Sequence, residues 1–129
     1  MSHARYLHTY RVNQLHTADP GTILLMLYQG AIDFLNQAKT HLANGNMTEK
    51  SRYINRTHAI LAELLASLNV TVGGELAHNL QGLYLFMLDQ LTTANLRNDS
   101  QPLEVVVSLL STLKDGWEGA IAAVRRRAA

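Results

Sequence analysis

Apolar residues recur at alternating three- and four-residue steps along most of this chain, in four runs of similar length separated by short polar breaks. That spacing lines one face of an α-helix, and no stretch competes with the two-residue alternation of a strand. In the first run, about 20 to 43, Leu24, Leu27, Tyr28, Ala31, Leu35, Ala38 and Leu42 share a face. Asp19 is placed to cap its first turn, and Pro20 suits the next position, where a missing N–H is no loss. "NGN" at 44 to 46 ends the run, with Gly45 free to take the left-handed conformation of a helix exit.

A second helix is expected over about 48 to 69, opened by Thr48, with Ile54, Thr57, Leu61, Leu64 and Leu68 inward. "TVGG" then breaks the chain ahead of a third, about 75 to 97, with Leu76, Leu80, Leu83, Met87, Leu91 and Ala94 inward. In "RNDSQP" Asp99 or Ser100 caps the fourth, and Pro102 falls in its tolerant first turn. That helix carries Leu103, Val106, Leu110, Leu113, Trp117, Ile121 and Val124, the cleanest stripe of the four. Asn95 and Asp99 read as turn and capping residues. Helices of this size are roughly 35 Å long, and short links between helices of matched length favour antiparallel packing. The expected fold is all-α, an antiparallel four-helix bundle over 19–125. Residues 1–18 hold Leu7, Tyr10, Val12 and Leu15 among three histidines and two arginines. They are too sparse for an independent element and read as a leader that docks on the bundle.

A chain of 129 residues buries a working core without cross-links. With no cysteine, neither disulfides nor thiolate metal sites are available. The longest apolar run, Ile23 to Tyr28, is far too short to cross a bilayer, and the N-terminus lacks the apolar core of a signal peptide. A cytoplasmic location is expected, without direct membrane insertion. The four N-x-S/T sequons, at Asn46, Asn55, Asn69 and Asn98, then read as chance. The formal charge of +1 favours no charged partner. Arg125 to Arg127 end a helix, where they complement its dipole rather than bind nucleic acid.

No catalytic constellation is found. Glu75 and His78 make one E-x-x-H pair, but a carboxylate-bridged di-metal bundle needs two, plus two further glutamates. Glu75 reads as a first-turn acid favoured by the helix dipole. His3, His8 and His16 are irregularly spaced, and no nucleophile elbow or phosphate-cradling glycine loop appears. The reading is a non-enzyme with no metal and no cofactor.

The surplus of apolar residues is more informative. Met26 lies nearly opposite the stripe of the first helix, with Ile23 and Leu25 on its flanks. Leu85 lies nearly opposite the stripe of the third, and Leu88 about a quarter-turn from it. Burying a side chain of this size stabilises by roughly 1.5–3 kcal/mol, so leaving several outside calls for a cover. The leader, a partner in a groove, a dimer mate or a wider core would each supply it.

At "TYRVNQLHTADPGTILLMLYQGAIDFL" (9 to 35) the chain resembles the flagellar secretion chaperones of the FliS family, which bind flagellin. The family's opening pairs Ala or Thr with Tyr, as at Thr9-Tyr10. An aliphatic–polar–Thr-Ala-x-Pro segment follows, here Leu15 to Pro20, and then an "LxxMLYxGAxxFL" helix. Leu15 stands where the family more often has Val. The similarity returns at "AILAELLASLNV" (59 to 70), "GGELAHNLQGLY" (73 to 84), "LTTANLRND" (91 to 99) and "LEVVVSLLSTLKDGW" (103 to 117), covering about 10 to 121. After Leu83-Tyr84 the family usually reads Asp-Tyr-Met and then an Arg-Arg pair. Here Leu85, Phe86, Met87, Leu88, Asp89 and Gln90 replace that basic patch, so charge contacts made there do not transfer.

The resemblance implies a bundle that clamps the disordered C-terminal segment of flagellin, blocks its polymerisation and delivers it to the flagellar export gate. It also implies a leader that lies over part of the groove until the client displaces it. Carried over by position, the protein-binding residues are Tyr10, Leu15, Thr17 and Pro20, then Leu24, Leu27, Tyr28 and Ala31. From the third helix come Leu76, Asn79, Leu80, Leu83, Tyr84 and Met87. For Leu24, Leu27, Leu80, Leu83 and Met87 plain core packing is an equal reading. Asn79, flanking the stripe, and Tyr84, a ring with a polar tip, are the best placed to touch a partner. The altered Leu85–Gln90 face leaves room for a co-chaperone or regulator. The alternative reading is a structural bundle that self-associates through its apolar flanks.

Overall fold

Four helices account for nearly all of residues 19–128, which are the residues that the structure, a computed structural model, describes. They are α1 (Pro20–Ala43), α2 (Met47–Ser67), α3 (Val70–Arg97) and α4 (Gln101–Ala128). Each packs on two others: α1 on α2 and α4, and α3 on α2 and α4. Contacts between opposite chain ends make these pairs antiparallel. Gly21 faces Ile121 and Lys39 lies 3.9 Å from Glu104, while Lys50 near the start of α2 reaches Asn95 and Asn98 at the end of α3. The sequence expectation of an antiparallel four-helix bundle holds.

The first helix has the expected bounds and devices. Asp19 accepts from the Thr22 N–H at 2.9 Å, Pro20 opens the helix, and Gly45 takes φ +75° at the exit. Three expectations need correction. Asn46, not Thr48, caps α2 by accepting from Glu49 N at 3.3 Å, so the helix starts one residue earlier, at Met47. Its last residue is Ser67 rather than 69. "TVGG" does not end all helical structure: residues from Val70 are already helical, capped by Asn69, and the break is confined to Gly74 at φ 60°, ψ −139°. That region is open only to glycine, so the chain kinks there and α3 resumes at Glu75.

Beyond the kink the inward residues of α3 are Ala77, Leu80, Tyr84, Met87, Leu91 and Ala94. Leu76, expected inside, is 62% exposed, and the small Ala77 takes its place. The core is completed by Tyr28, Ala31, Leu35 and Ala38 of α1, Ile54, Thr57, Leu61 and Leu64 of α2, and Leu103, Val106 and Leu110 of α4. Val124, last of the α4 stripe, is exposed. Ile121 already lies level with Gly21 at the start of α1, so Val124 falls near the end of the packed length and is 61% exposed.

Asn95 does more than the turn role expected of it. Lys50 is only 3% exposed, and its ammonium donates to Asn95 O at 3.1 Å, Asn95 Oδ1 at 2.8 Å and Asn98 Oδ1 at 2.7 Å. Ser51 Oγ donates to the same Asn95 Oδ1 at 2.8 Å. The charge is thus met by three oxygens and the negative end of α3, one of whose orphan carbonyls it satisfies. Burial lowers the Lys50 pKa. Such a clamp is more costly to half-remove than to remove. Asn95→Ala is expected to destabilise by about 1–3 kcal/mol, and Lys50→Met, which takes the charge away with its acceptors intact, by less; urea midpoints of the two variants check the order.

Candidate functional site

At 100° per residue, the part of α3 after the kink presents two different flanks beside its buried face. Asn95, bonded to Ser51 and Lys50, marks the flank toward α2; Gln81, Leu85 and Leu88 share it, and Leu96 lies at its outer edge. The opposite flank, toward α4, carries Leu76, Asn79, Leu83, Phe86 and Gln90. Leu76 and Phe86 are exposed there, with Leu83 half-buried against the core. The matching flank of α4 offers Leu109, Leu113, Gly116, Ala120 and Val124. Gly116 has open space where a Cβ would stand. Val72, also exposed, sits just before the kink at the same end of the bundle as Val124. The seam between α3 and α4 is therefore a long apolar surface with an open rim.

Beneath that seam lies a polar link through the core. Tyr28 and Tyr84, on diagonally opposite helices, share a short hydrogen bond between their hydroxyls, and Trp117 Nε1 donates to the Tyr28 oxygen at 3.1 Å. Both rings are buried, and no buried side-chain polar atom lacks a partner among the described residues. Burial raises the pKa of both phenols, and for Tyr84 the neighbouring Tyr28 raises it further.

Unfolded tyrosine ionises near 10, whereas the folded pair holds its protons, so the unfolded state binds fewer protons above that pH. Stability from the pair is complete below about pH 10 and is lost as pH rises further. Lys50 acts with the opposite sign, in a window that closes at its unfolded value of 10.5. The expected result is a urea midpoint that holds to about pH 10 and then falls.

The fourteen positions singled out from the sequence separate into four sets. Tyr10, Leu15 and Thr17 lie outside the described residues. Tyr28, Ala31, Leu80, Tyr84 and Met87 are core, and Leu24, Leu27 and Leu83 are half-buried along its edge. Pro20, Leu76 and Asn79 are exposed, the last two on the seam flank. The expectation that Tyr84 presents its polar tip outward is corrected: it is 2% exposed and its hydroxyl is committed to Tyr28. Ile23, Met26 and Leu88, suspected of being surplus, are half-buried, and Leu85 is 52% exposed, so none is fully packed. Sequence reading missed Phe86 and the exposed Val124. A wheel drawn on the observed α3 face would have found Phe86.

At the end of the seam, Arg125 donates to both Asp19 oxygens, at 3.2 and 3.1 Å, and to Thr22 Oγ1 at 3.2 Å. Asp19 keeps a lowered pKa chiefly because its carboxylate accepts the Thr22 backbone N–H, with Arg125 adding to that effect. The same carboxylate therefore caps α1 and ties it to the last turns of α4.

The family description "Flagellar protein FliS" matches residues 2–124. The chain belongs to the FliS family. Among curated relatives, the flagellar secretion chaperone FliS of Vibrio cholerae is 37% identical over 106 residues, covering 82% of this chain and 78% of that one. The Bacillus subtilis FliS is 32% identical over 117 residues, covering 91% and 86%. A solved structure described as a flagellar chaperone from bacteria superposes with a TM-score of 0.76 over 95% of this chain and 99% of that one, at 21% identity. That last likeness concerns the fold alone. A role as a chaperone in flagellar export follows from the family. Among the described residues, no helix is long and apolar enough to cross a membrane.

Proposed function

We propose that this FliS-family protein binds the disordered C-terminal segment of flagellin in the cytoplasm, keeps it from polymerising and hands it to the flagellar export gate, without catalysis. The open apolar seam of α3 and α4 carries this reading. Leu76, Phe86 and Val124 stand exposed on helices whose core is already closed without them. An amphipathic segment that folds as its apolar face enters a groove is the complement such a seam needs. Coupled folding of this kind buries on the order of 1,000–3,000 Å² and gives back about 2–5 kcal/mol to ordering.

Light scattering with and without a flagellin C-terminal peptide tests the reading. A monomer that gains the mass of one peptide supports it. A dimer indifferent to the peptide would favour a self-associating bundle instead.

Residues 1–18 form the leader in this proposal, with Tyr10 and Leu15 competing for part of the groove. Removing residues 1–15 is then expected to tighten or accelerate peptide binding, and unchanged or weaker binding would rule the competitor out. Within the altered Leu85–Gln90 stretch, Leu85 and Leu88 lie on the flank of α3 toward α2, which is free in this scheme for a co-chaperone or regulator.

A further inference from the structure

Asn44 and Gly45 form the exit of α1, and Asn44 is the one asparagine of the chain that glycine follows; each of the others precedes a residue with a side chain. Both residues are exposed, and nothing lies within 4 Å of where a Gly45 Cβ would stand. A glycine there leaves its backbone nitrogen the least shielded approach to the preceding side-chain amide. The turn itself opposes that approach. Asn44 N–H donates to Thr40 O at 3.1 Å, Gly45 N–H to Leu42 O at 3.2 Å and Asn46 N–H to His41 O at 2.8 Å. At ψ 2° for Asn44, the Gly45 nitrogen is turned toward the Asn44 nitrogen and away from Cγ.

We propose that Asn44 is a site of spontaneous deamidation whose rate is set by opening of this turn. The Gly45 nitrogen gives up its proton to solvent base and attacks Asn44 Cγ. The side-chain nitrogen takes up a proton and leaves as ammonia, closing a cyclic succinimide. Water then adds to one of the two ring carbonyls and opens the ring. Opening at the side-chain carbonyl leaves aspartate; opening at the main-chain carbonyl leaves isoaspartate, in which the chain runs on through Cβ. Either product puts a negative charge at the carbonyl end of α1, where the helix dipole is already negative. Isoaspartate also lengthens the backbone within the turn that the Asn46–His41 bond closes. The product therefore holds the exit of α1 less firmly than the parent chain does.

The full chain is incubated at mildly alkaline pH and body temperature, both folded and in guanidinium chloride. Isoaspartate is followed by methyltransferase labelling and located by peptide mapping. In the unfolded chain, label should appear first at Asn44, and Gly45→Ala should slow it strongly, because a methyl group obstructs the attacking nitrogen. In the folded chain, label at Asn44 should form about tenfold more slowly or slower still, because only molecules with the turn open react. Equal rates at Asn44 in the two conditions would overturn control by the turn. Label that forms first at another asparagine of the unfolded chain, or that ignores Gly45→Ala, would overturn the site. Asn44→Asp carries the charge without the longer backbone, and its urea midpoint should fall below that of the wild type. A midpoint equal to or above the wild type's would overturn the stated consequence of the modification.

Discussion

Tyr28→Phe is expected to destabilise the bundle far more than Tyr84→Phe. The Tyr28 oxygen is the hub of the buried link: it meets the Tyr84 hydroxyl and accepts the Trp117 N–H at 3.1 Å. Without it the Trp117 N–H loses its acceptor and the buried Tyr84 hydroxyl loses its partner. Each unsatisfied buried group costs about 1–3 kcal/mol, so Tyr28→Phe should cost about 2 kcal/mol or more. Tyr84→Phe leaves the Trp117–Tyr28 bond in place, so about 1 kcal/mol is expected. The half-buried indole also reports the difference, since Trp117 emission should shift in the folded Tyr28→Phe protein and not in Tyr84→Phe. Equal urea midpoints for the two variants would mean that the Trp117–Tyr28 hydrogen bond contributes nothing to stability.

The second large effect concerns the seam. Phe86 is 43% exposed on the flank facing α4, so Phe86→Asp should change stability by no more than about 0.5 kcal/mol. Its aromatic ring is the largest exposed apolar group on the seam, and aromatic anchors dominate interfaces of this kind. Flagellin-peptide affinity should fall by about 30-fold or more, the loss that corresponds to a hot spot of about 2 kcal/mol. Leu96 is 80% exposed on the other side of α3, and Leu96→Asp should leave peptide affinity unchanged. Titration of the two variants with one labelled peptide makes the comparison. If the pattern were reversed, the client site would move to the flank toward α2.

Some of this molecule is legible in its sequence, and some is not. The bounds of α1 were legible because local chemistry marks each end: Asp19-Pro20 opens it and Asn44-Gly45 closes it. The start of α2 was misread because Asn46 and Thr48, both good capping residues, lie two positions apart; the Glu49 N–H that Asn46 accepts decides between them. The third helix was misphased at its start for a different reason. Leu76 and Ala77, in the first turn after the Gly74 kink, flank the inner face on either side, and it is the smaller Ala77 that is buried. Nothing local reports that Tyr84 spends its hydroxyl on a residue 56 positions away, or that Lys50 closes on Asn95 and Asn98 across the bundle. Binding surfaces are harder still to read. A half-buried leucine such as Leu83 and a fully buried one such as Leu80 obey the same periodicity, and only the packed neighbours separate them.

Calorimetric titration of the full-length chain with the flagellin C-terminal peptide, repeated at several temperatures, tests the central claim most directly. Folding of an apolar segment into the α3–α4 seam predicts one peptide per chain, an enthalpy that grows more negative on warming, and loss of that signal in Phe86→Asp. A heat-capacity change near zero, or a signal that survives Phe86→Asp intact, would contradict it.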